Sequence, residues 1–466
     1  MQKLSIFSST VSTTCSIPSI LNREHLKEFS IRAGALRRER KFSLADYILT
    51  ALVKMCNATE ESEFTLKSIH EAYLKYCKDE RLPELTHKCI HKRLQSGRTF
   101  EAVNLMLSEL MKASFGKRLM KKVKKVLNDD FNTLLDTLKV QDIILIDGTE
   151  IDLSYSCADN FDCKGKGRPC SDGSAPRPGL KLHVAFSFLK QSFEYIEITQ
   201  AVGSERESVL TDRFHNCLLI CDRGYVDEKL EQEIESSGNL YLIRGKLNTA
   251  ATINTAFSDD GQTMPEVVGI TVKKLPTPTC ADLDVTFSSG HKNRIIVRHN
   301  PNAKHGNKRS ILRTNIPRNR LGAKQLYILY RLRWAIELFN KANKRSNCLK
   351  SINSANENII LIFIMLSLAV SIVKAYTGLK CIVANKLSWL SMLKLHKQND
   401  CFVKLFSAFL KRKLSTVYQV FKELLDDIAL LCQRTKPSNR DAILLKDLPT
   451  LLWQIVHQPN TTANAA

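Results

Sequence analysis

The sequence predicts an α/β protein: a mixed β-sheet core with a β-rich insertion, flanked by helical regions at both ends. Three observations carry this. Apolar residues recur at helical spacing through residues 1 to about 140. From Val140 to about Pro317, short β-rich apolar runs bounded by Gly, Pro and Asp replace them. Helical patterning returns from Tyr330, followed by an unbroken apolar run from Ile359 to Val373. The divisions drawn on this basis are a helical region at 1–139, a first core part at 140–239, the insertion at 240–320, a second core part at 321–378 and a helical region at 379–466.

Composition narrows the partners. The 466 residues are 44% hydrophobic and 25% charged, the profile of a folded chain with several domains. Lys and Arg number 69 against 47 Asp and Glu, a net +22, which points to a polyanion and to nucleic acid first. A membrane surface competes, but no basic amphipathic helix adjoins a span or a lipidation signal. Met1 to Leu21 is rich in Ser and Thr and lacks the apolar stretch of a signal peptide. The run Ile359–Val373, broken by Ser367 and Ser371, is short for a membrane span and suits a buried helix. Fourteen cysteines are scattered without a secretory signal, so reduced thiols are expected. Cys157, Cys163 and Cys170 cluster beside Lys164, Lys166 and Arg168, but without a CxxC pair or a nearby fourth ligand a structural zinc is disfavoured.

In chain order, helices are expected at Asp46–Met55 and Thr65–Tyr76. Leu82-Pro83 breaks the chain before a third, from about Glu84 to Gln95, that carries Lys88, Lys92 and Arg93 with His87 and His91. A basic second helix after a short break fits a helix-turn-helix that presents Lys88, Lys92 and Arg93 to DNA; a plain helical bundle fits as well. Lys117, Arg118, Lys121, Lys122, Lys124 and Lys125 make either a solvated helix face or a phosphate-contacting one. Strands follow at Asp142–Ile146, Ile151–Tyr155, Leu182–Phe188, Tyr195–Thr199 and Leu218–Cys221. The first and last lead into Asp147-Gly148-Thr149 and Asp222-Arg223-Gly224-Tyr225. Both aspartates are thus expected at strand tips, where side chains converge at one sheet edge, although a lone Asp there is usually a turn residue or cap. Further strands are expected at Tyr241–Arg244, Ile270–Lys274, Leu283–Phe287, Arg294–Arg298 and Ser310–Arg313, with Asp259-Asp260-Gly261 as a turn.

The stretch Tyr330–Lys344 reads as one amphipathic helix. Leu329, Leu332, Ile336 and Phe339 gather on one side, while Tyr330, Arg333, Glu337 and Lys344 fall within about 60° of each other on the other. Trp334 lies beside that polar stripe, and stacking on an unpaired base and packing in the core both remain open. Phe402–Leu431 is expected to be helical with a basic stretch at Lys411-Arg412-Lys413, and the tail Asn460–Ala466 to be disordered. Carboxylates from two strands and a helix, Asp147, Asp222 and Glu337, form a hard-oxygen set suited to two divalent cations, Mg²⁺ or Mn²⁺, for in-line displacement at phosphorus. Arg333, Lys341 and Lys344 would then meet flanking DNA phosphates and Tyr330 would donate a hydrogen bond.

These residues resemble a known family. Tyr330, Arg333, Glu337 and Lys344 match the Y-(2)-R-(3)-E-(6)-K spacing of a subgroup of bacterial insertion-sequence DDE transposases. Asp147-Gly148-Thr149, Asp222-Arg223-Gly224-Tyr225 and Arg313-Thr314-Asn315-Ile316-Pro317 match its other segments, from about residue 140 to 350. The resemblance implies a ribonuclease-H-like core and an insertion between the second Asp and the Glu. It implies that Asp147, Asp222 and Glu337 are the catalytic residues and the ligands of two Mg²⁺ (or Mn²⁺) ions. It further implies cut-and-paste transposition through a hairpin at the transposon end, with Trp334 in base flipping. The expected partners are terminal inverted repeats, target DNA and a second protomer, in the cytoplasm and on the nucleoid of a bacterium. The alternatives are an inactive DNA-binding descendant, a metal-dependent nuclease of repair or restriction, and a basic scaffold. Retention of all three acids weighs against the first, because unused carboxylates facing DNA phosphate only repel it.

Overall fold

The computed structural model describes residues 4–7, 16–36, 41–57, 65–83, 85–114, 116–127, 129–163, 177–202, 206–208, 211–299, 308–347, 354–387, 390–411, 414–432 and 448–460. Lys164, Lys166, Arg168, Cys170, Glu84, Arg412, Lys413 and the tail beyond Asn460 lie outside them.

Among the described residues ten strands share one sheet: β1 (Leu4–Phe7), β2 (Asp142–Asp152), β3 (Gly179–Ser187), β4 (Ser192–Gln200), β5 (Cys217–Cys221), β6 (Leu240–Arg244), β7 (Thr252–Ser258), β8 (Ala281–Thr286), β9 (Lys292–His299) and β10 (Arg309–Thr314). Their spatial order is β1-β4-β3-β2-β5-β6-β10-β9-β8-β7. β2, β3 and β4 form an antiparallel meander, and β5 and β6 run parallel to β2. That is a ribonuclease-H-like core. Every residue of β5, Cys-Leu-Leu-Ile-Cys, is buried, as a parallel strand covered on both faces requires.

Two strands differ from the expected pattern. β1 pairs antiparallel with β4 within a region that reads as helical, because four residues are too few to show a period. β7 buries Ile253 and Ala256 among small polar residues, which mask its alternation. Ile270–Lys274, by contrast, is not a strand. Gly269 takes a left-handed backbone (φ +84°), and Val272–Lys274 closes a 3-10 turn whose Val272 and Lys273 amides donate to the Ala251 and Thr249 carbonyls.

The insertion continues the core sheet because β10 pairs with β6. Thr314 donates its hydroxyl to the Tyr241 carbonyl (2.6 Å), while Asn315 accepts from the Tyr241 amide (2.8 Å) and donates to the Asn239 carbonyl (3.0 Å). Glu231, fully buried on helix α9 (Glu228–Ser236 when the helices are counted along the chain), accepts from Arg313 (2.6 Å) and Asn293 (2.8 Å) and pairs with His291 (3.2 Å). The hydrogen bond to Glu231 raises the His291 pKa above its usual value against the opposing effect of burial. Arg294 holds both oxygens of Asp282 (2.9 and 2.6 Å) and donates to the Ile316 carbonyl.

Among the described residues eight helices precede β2: α1 (Ile17–Ile20), α2 (Arg23–Arg32), α3 (Leu44–Asn57), α4 (Leu66–Asp79), α5 (His87–Leu94), α6 (Gly97–Ser114), α7 (Lys117–Val126) and α8 (Asp129–Leu138). After β10 come α10 (Ala323–Tyr330), α11 (Trp334–Ser346), α12 (Glu357–Asn385), α13 (Met392–Lys397), α14 (Asn399–Leu410), α15 (Leu414–Leu431) and α16 (Leu448–His457). The 29-residue α12 is the axis of the helical part, touching α3, α5, α6, α7, α11, α13 and α15. By length and composition it is apolar enough to cross a membrane, yet its apolar window lies wholly inside the protein.

The apolar run reads as ending at Val373 because Lys374 follows, but the helix continues and Lys374 is buried with it. Its ammonium donates to Asn347 Oδ1 (2.9 Å), the His396 carbonyl (2.8 Å) and Asn399 Oδ1 (2.8 Å), joining α11, α12, α13 and α14. A buried ammonium is tolerated only with such a shell, and the acceptors need it as much as it needs them. Lys374→Met should therefore destabilise the fold by about 2–4 kcal/mol in denaturant unfolding. A loss below about 1 kcal/mol would mean the shell satisfies itself without the ammonium.

Candidate active site

The parallel ladder of β2 and β5 pairs Asp142 with Cys217 and ends at Ile146 with Cys221. The next residue on each strand is Asp147 and Asp222, so the two carboxylates stand side by side where pairing stops. Asp222 leaves β5 at the start of a 3-10 turn, Arg223–Tyr225, as expected of a strand tip. Asp147 does not stand at a tip. β2 runs on to Asp152 because Asp147, Gly148 and Thr149 pair with Val184, His183 and Leu182 of β3. What opens space beside Asp147 is the departure of β5.

The third acid comes from α11, which packs across β2. The expected continuous helix is interrupted: α10 ends at Tyr330, Arg331–Arg333 form a 3-10 turn, and α11 begins at Trp334. At three residues per turn, Arg333 rises directly over Tyr330, and its guanidinium carbon lies 5.8 Å from the ring centroid. Arg333 reaches on to pair with Glu337, one turn ahead. The Tyr330 hydroxyl donates to the Cys221 carbonyl (3.3 Å) and to Asp222 (3.4 Å). Tyr330, Arg333 and Glu337 therefore face the aspartates together, as the helical wheel indicates.

These groups also act on one another electrostatically. Burial pushes the Asp147 carboxyl up to about 6; Arg333 pulls it back, Glu337 raises it, an Asn340 hydrogen bond lowers it and Asp222 raises it. Burial works against a charged Arg333, but Tyr330, Glu337 and Asp222 outweigh it and hold the guanidinium above its usual value. The donor chemistry, hard carboxylate oxygens crowded enough to oppose one another's ionisation, fits divalent cations. As the side chains stand, no three His, Cys, Asp or Glu among the described residues are close enough to hold a metal ion. Glu337 is engaged by Arg333 instead.

Asn340 also belongs to this group. It is buried one turn beyond Glu337 and donates to Asp147 Oδ2 (3.1 Å). Its spacing of three from Glu337 is the signal that marks it as sharing that face. Trp334 is half-buried, and its indole N–H is enclosed without a hydrogen-bond partner. Lys341 and Lys344 sit further along α11 and are half-buried. Lys88, Lys92 and Arg93 lie apart on α5, which packs on α4, α6 and α12. Arg93 borders a cavity of about 580 Å³ together with Arg23, Lys27 and Arg98. Cys157 donates to the Ser354 carbonyl (3.0 Å), and the described cysteines are all free thiols.

A sequence profile of the family described as "Transposase DDE domain" matches residues 138–370, half of the chain. No curated protein matches the chain. Among solved structures, a cryo-EM structure of the piggyBac transposase synaptic complex with hairpin DNA is similar, at 11% identity and a TM-score of 0.43, covering 95% of this chain and 90% of that one. The matched span runs from just before β2 into α12 and holds both strand aspartates and the α11 acid. The chain belongs to the DDE transposases, metal-dependent enzymes that cleave and transfer DNA strands.

Proposed function

We propose that this transposase moves its own insertion sequence by a cut-and-paste route, with Asp147, Asp222 and Glu337 as its catalytic acids. The observation that carries the reading is the ladder end at Ile146–Cys221, which sets Asp147 beside Asp222 under the helix that bears Glu337. The three carboxylates would hold two Mg²⁺ or Mn²⁺ ions. When bound, such ions make the attacking oxygen more acidic and stabilise the leaving one. The chain's own groups do the rest. Arg333, Lys341 and Lys344 grip phosphates flanking the scissile bond, with the Arg333 fork suited to two phosphate oxygens. Tyr330 orients Asp222 through its hydroxyl. Asn340 fixes the carboxylate plane of Asp147.

The Y-(2)-R-(3)-E-(6)-K spacing supports placement in that subgroup, and with it a hairpin intermediate at the transposon end. The half-buried Trp334, next to Arg333, then stacks on the displaced base. The α5 residues Lys88, Lys92 and Arg93 contact the terminal inverted repeats, and two protomers bring both ends together. The subgroup reading also makes the protein bacterial, acting in the cytoplasm on nucleoid DNA.

Asp147→Asn, Asp222→Asn and Glu337→Gln should each lower Mg²⁺-dependent strand cleavage by roughly three orders of magnitude, judged by catalytic groups that act as a unit. DNA binding in a mobility-shift assay should survive, since a removed carboxylate only relieves repulsion of phosphate. Full cleavage by any one variant would sink the assignment. For Trp334→Ala, end-labelled substrates should show first-strand nicking without hairpin product. An unchanged hairpin yield would return Trp334 to a packing role.

A further inference from the structure

Arg333 already does for the acids what a metal ion would do. Its guanidinium contacts Glu337 and lies in the fields of Asp147 and Asp222, and its side chain is only 11% exposed. Three carboxylates crowded without a cation would repel one another, so a built-in counter-ion stabilises the DNA-free protein. The same contact engages the Glu337 carboxylate, and among the described residues no three acids are close enough to share an ion. One side chain thus offsets part of the acids' charge and occupies the Glu337 carboxylate.

Its surroundings favour exchange. Arg333 ends a 3-10 turn wedged between two α-helices, a local geometry often found at hinges. Tyr330, which supports the guanidinium from below, is tied to β5 rather than to Arg333's acid partner, so the arginine can swing without dragging the core. Phosphate offers a guanidinium the same two-oxygen geometry that a carboxylate does.

We propose that Arg333 is a stand-in cation: a DNA phosphate draws its guanidinium off Glu337, and the freed carboxylate then joins Asp147 and Asp222 to complete the divalent-ion site. The inference rests on the metal-ligand reading given above and adds that substrate binding assembles the site. No covalent step is involved; one ion pair is traded for another. Because the two events share one residue, DNA should raise metal affinity and metal should raise DNA affinity by the same factor.

The test is Mn²⁺ titration calorimetry on the full-length protein, with and without a short DNA duplex. DNA-free Arg333→Gln should bind Mn²⁺ at least about fivefold tighter than wild type, the lower end of typical site-to-site coupling. Wild type should gain a similar factor when DNA is added, and Arg333→Gln should gain none. Arg333→Lys, which keeps a cation, should bind Mn²⁺ as weakly as wild type and guards against a fold defect in the glutamine variant. Equal or weaker Mn²⁺ binding by DNA-free Arg333→Gln overturns the proposal, as does a wild type indifferent to DNA. If, with DNA present, Asp147→Asn and Glu337→Gln bind Mn²⁺ as wild type does, the metal-ligand reading fails and this inference falls with it. If those two lose Mn²⁺ while Arg333→Gln gains nothing, only the stand-in role is lost.

Discussion

The parallel pairing of β2 with β5 stops one residue short of two aspartates, and the site follows from that stop. Up to Ile146 and Cys221 the ladder consumes backbone groups and buries apolar side chains on both faces. Beyond it β5 turns away at Asp222, while β2 is held straight by β3. Two carboxylates are left side by side at the edge of a buried sheet, where low solvation strengthens every charge interaction. Nothing about Asp147 or Asp222 alone requires a partner. Their juxtaposition does, and Arg333, Tyr330 and Asn340 are the groups that answer it.

The rest of the fold holds the helix carrying those groups against the strands. Behind α11, Asn343 and Asn347 join a buried polar cluster with Ser371, Lys374 and His396. That cluster ties the far end of the motif helix to α12 and to the C-terminal helices, so a region without recognisable chemistry of its own sets the position of Lys344. On the other side, Thr314 and Asn315 stitch β10 to β6. The Thr-Asn-Ile-Pro stretch, suggestive of function by resemblance, works through side-chain hydrogen bonds to the backbone around β6. It fixes where the chain leaves the insertion for α10.

Short-range patterns in the sequence indicate which elements carry the three acids. Apolar runs ending in Asp mark β2 and β5, and a 3.6-residue wheel places Glu337 on one face with Tyr330 and Arg333. Features set by partners far along the chain are hidden. Gly148 after Asp147 looks like a turn, yet pairing with His183 carries β2 straight through it. The helix break at Arg331–Arg333 has no proline or glycine to announce it. Lys374 looks like the end of a buried helix because acceptors for its ammonium come from residues 347, 396 and 399. β1 and β7 are edge strands whose pairing, more than their composition, makes them strands.

Asp147, Asp222 and Glu337 are proposed to act as one ligand set, positioned by the ladder end. Anomalous diffraction from Mn²⁺ in crystals of the protein bound to DNA tests it most directly. Anomalous density is expected between the carboxylates of Asp147 and Asp222, with Glu337 turned toward it. Density confined to other carboxylates, with Asp147 and Asp222 making no contact to the ion, would contradict it.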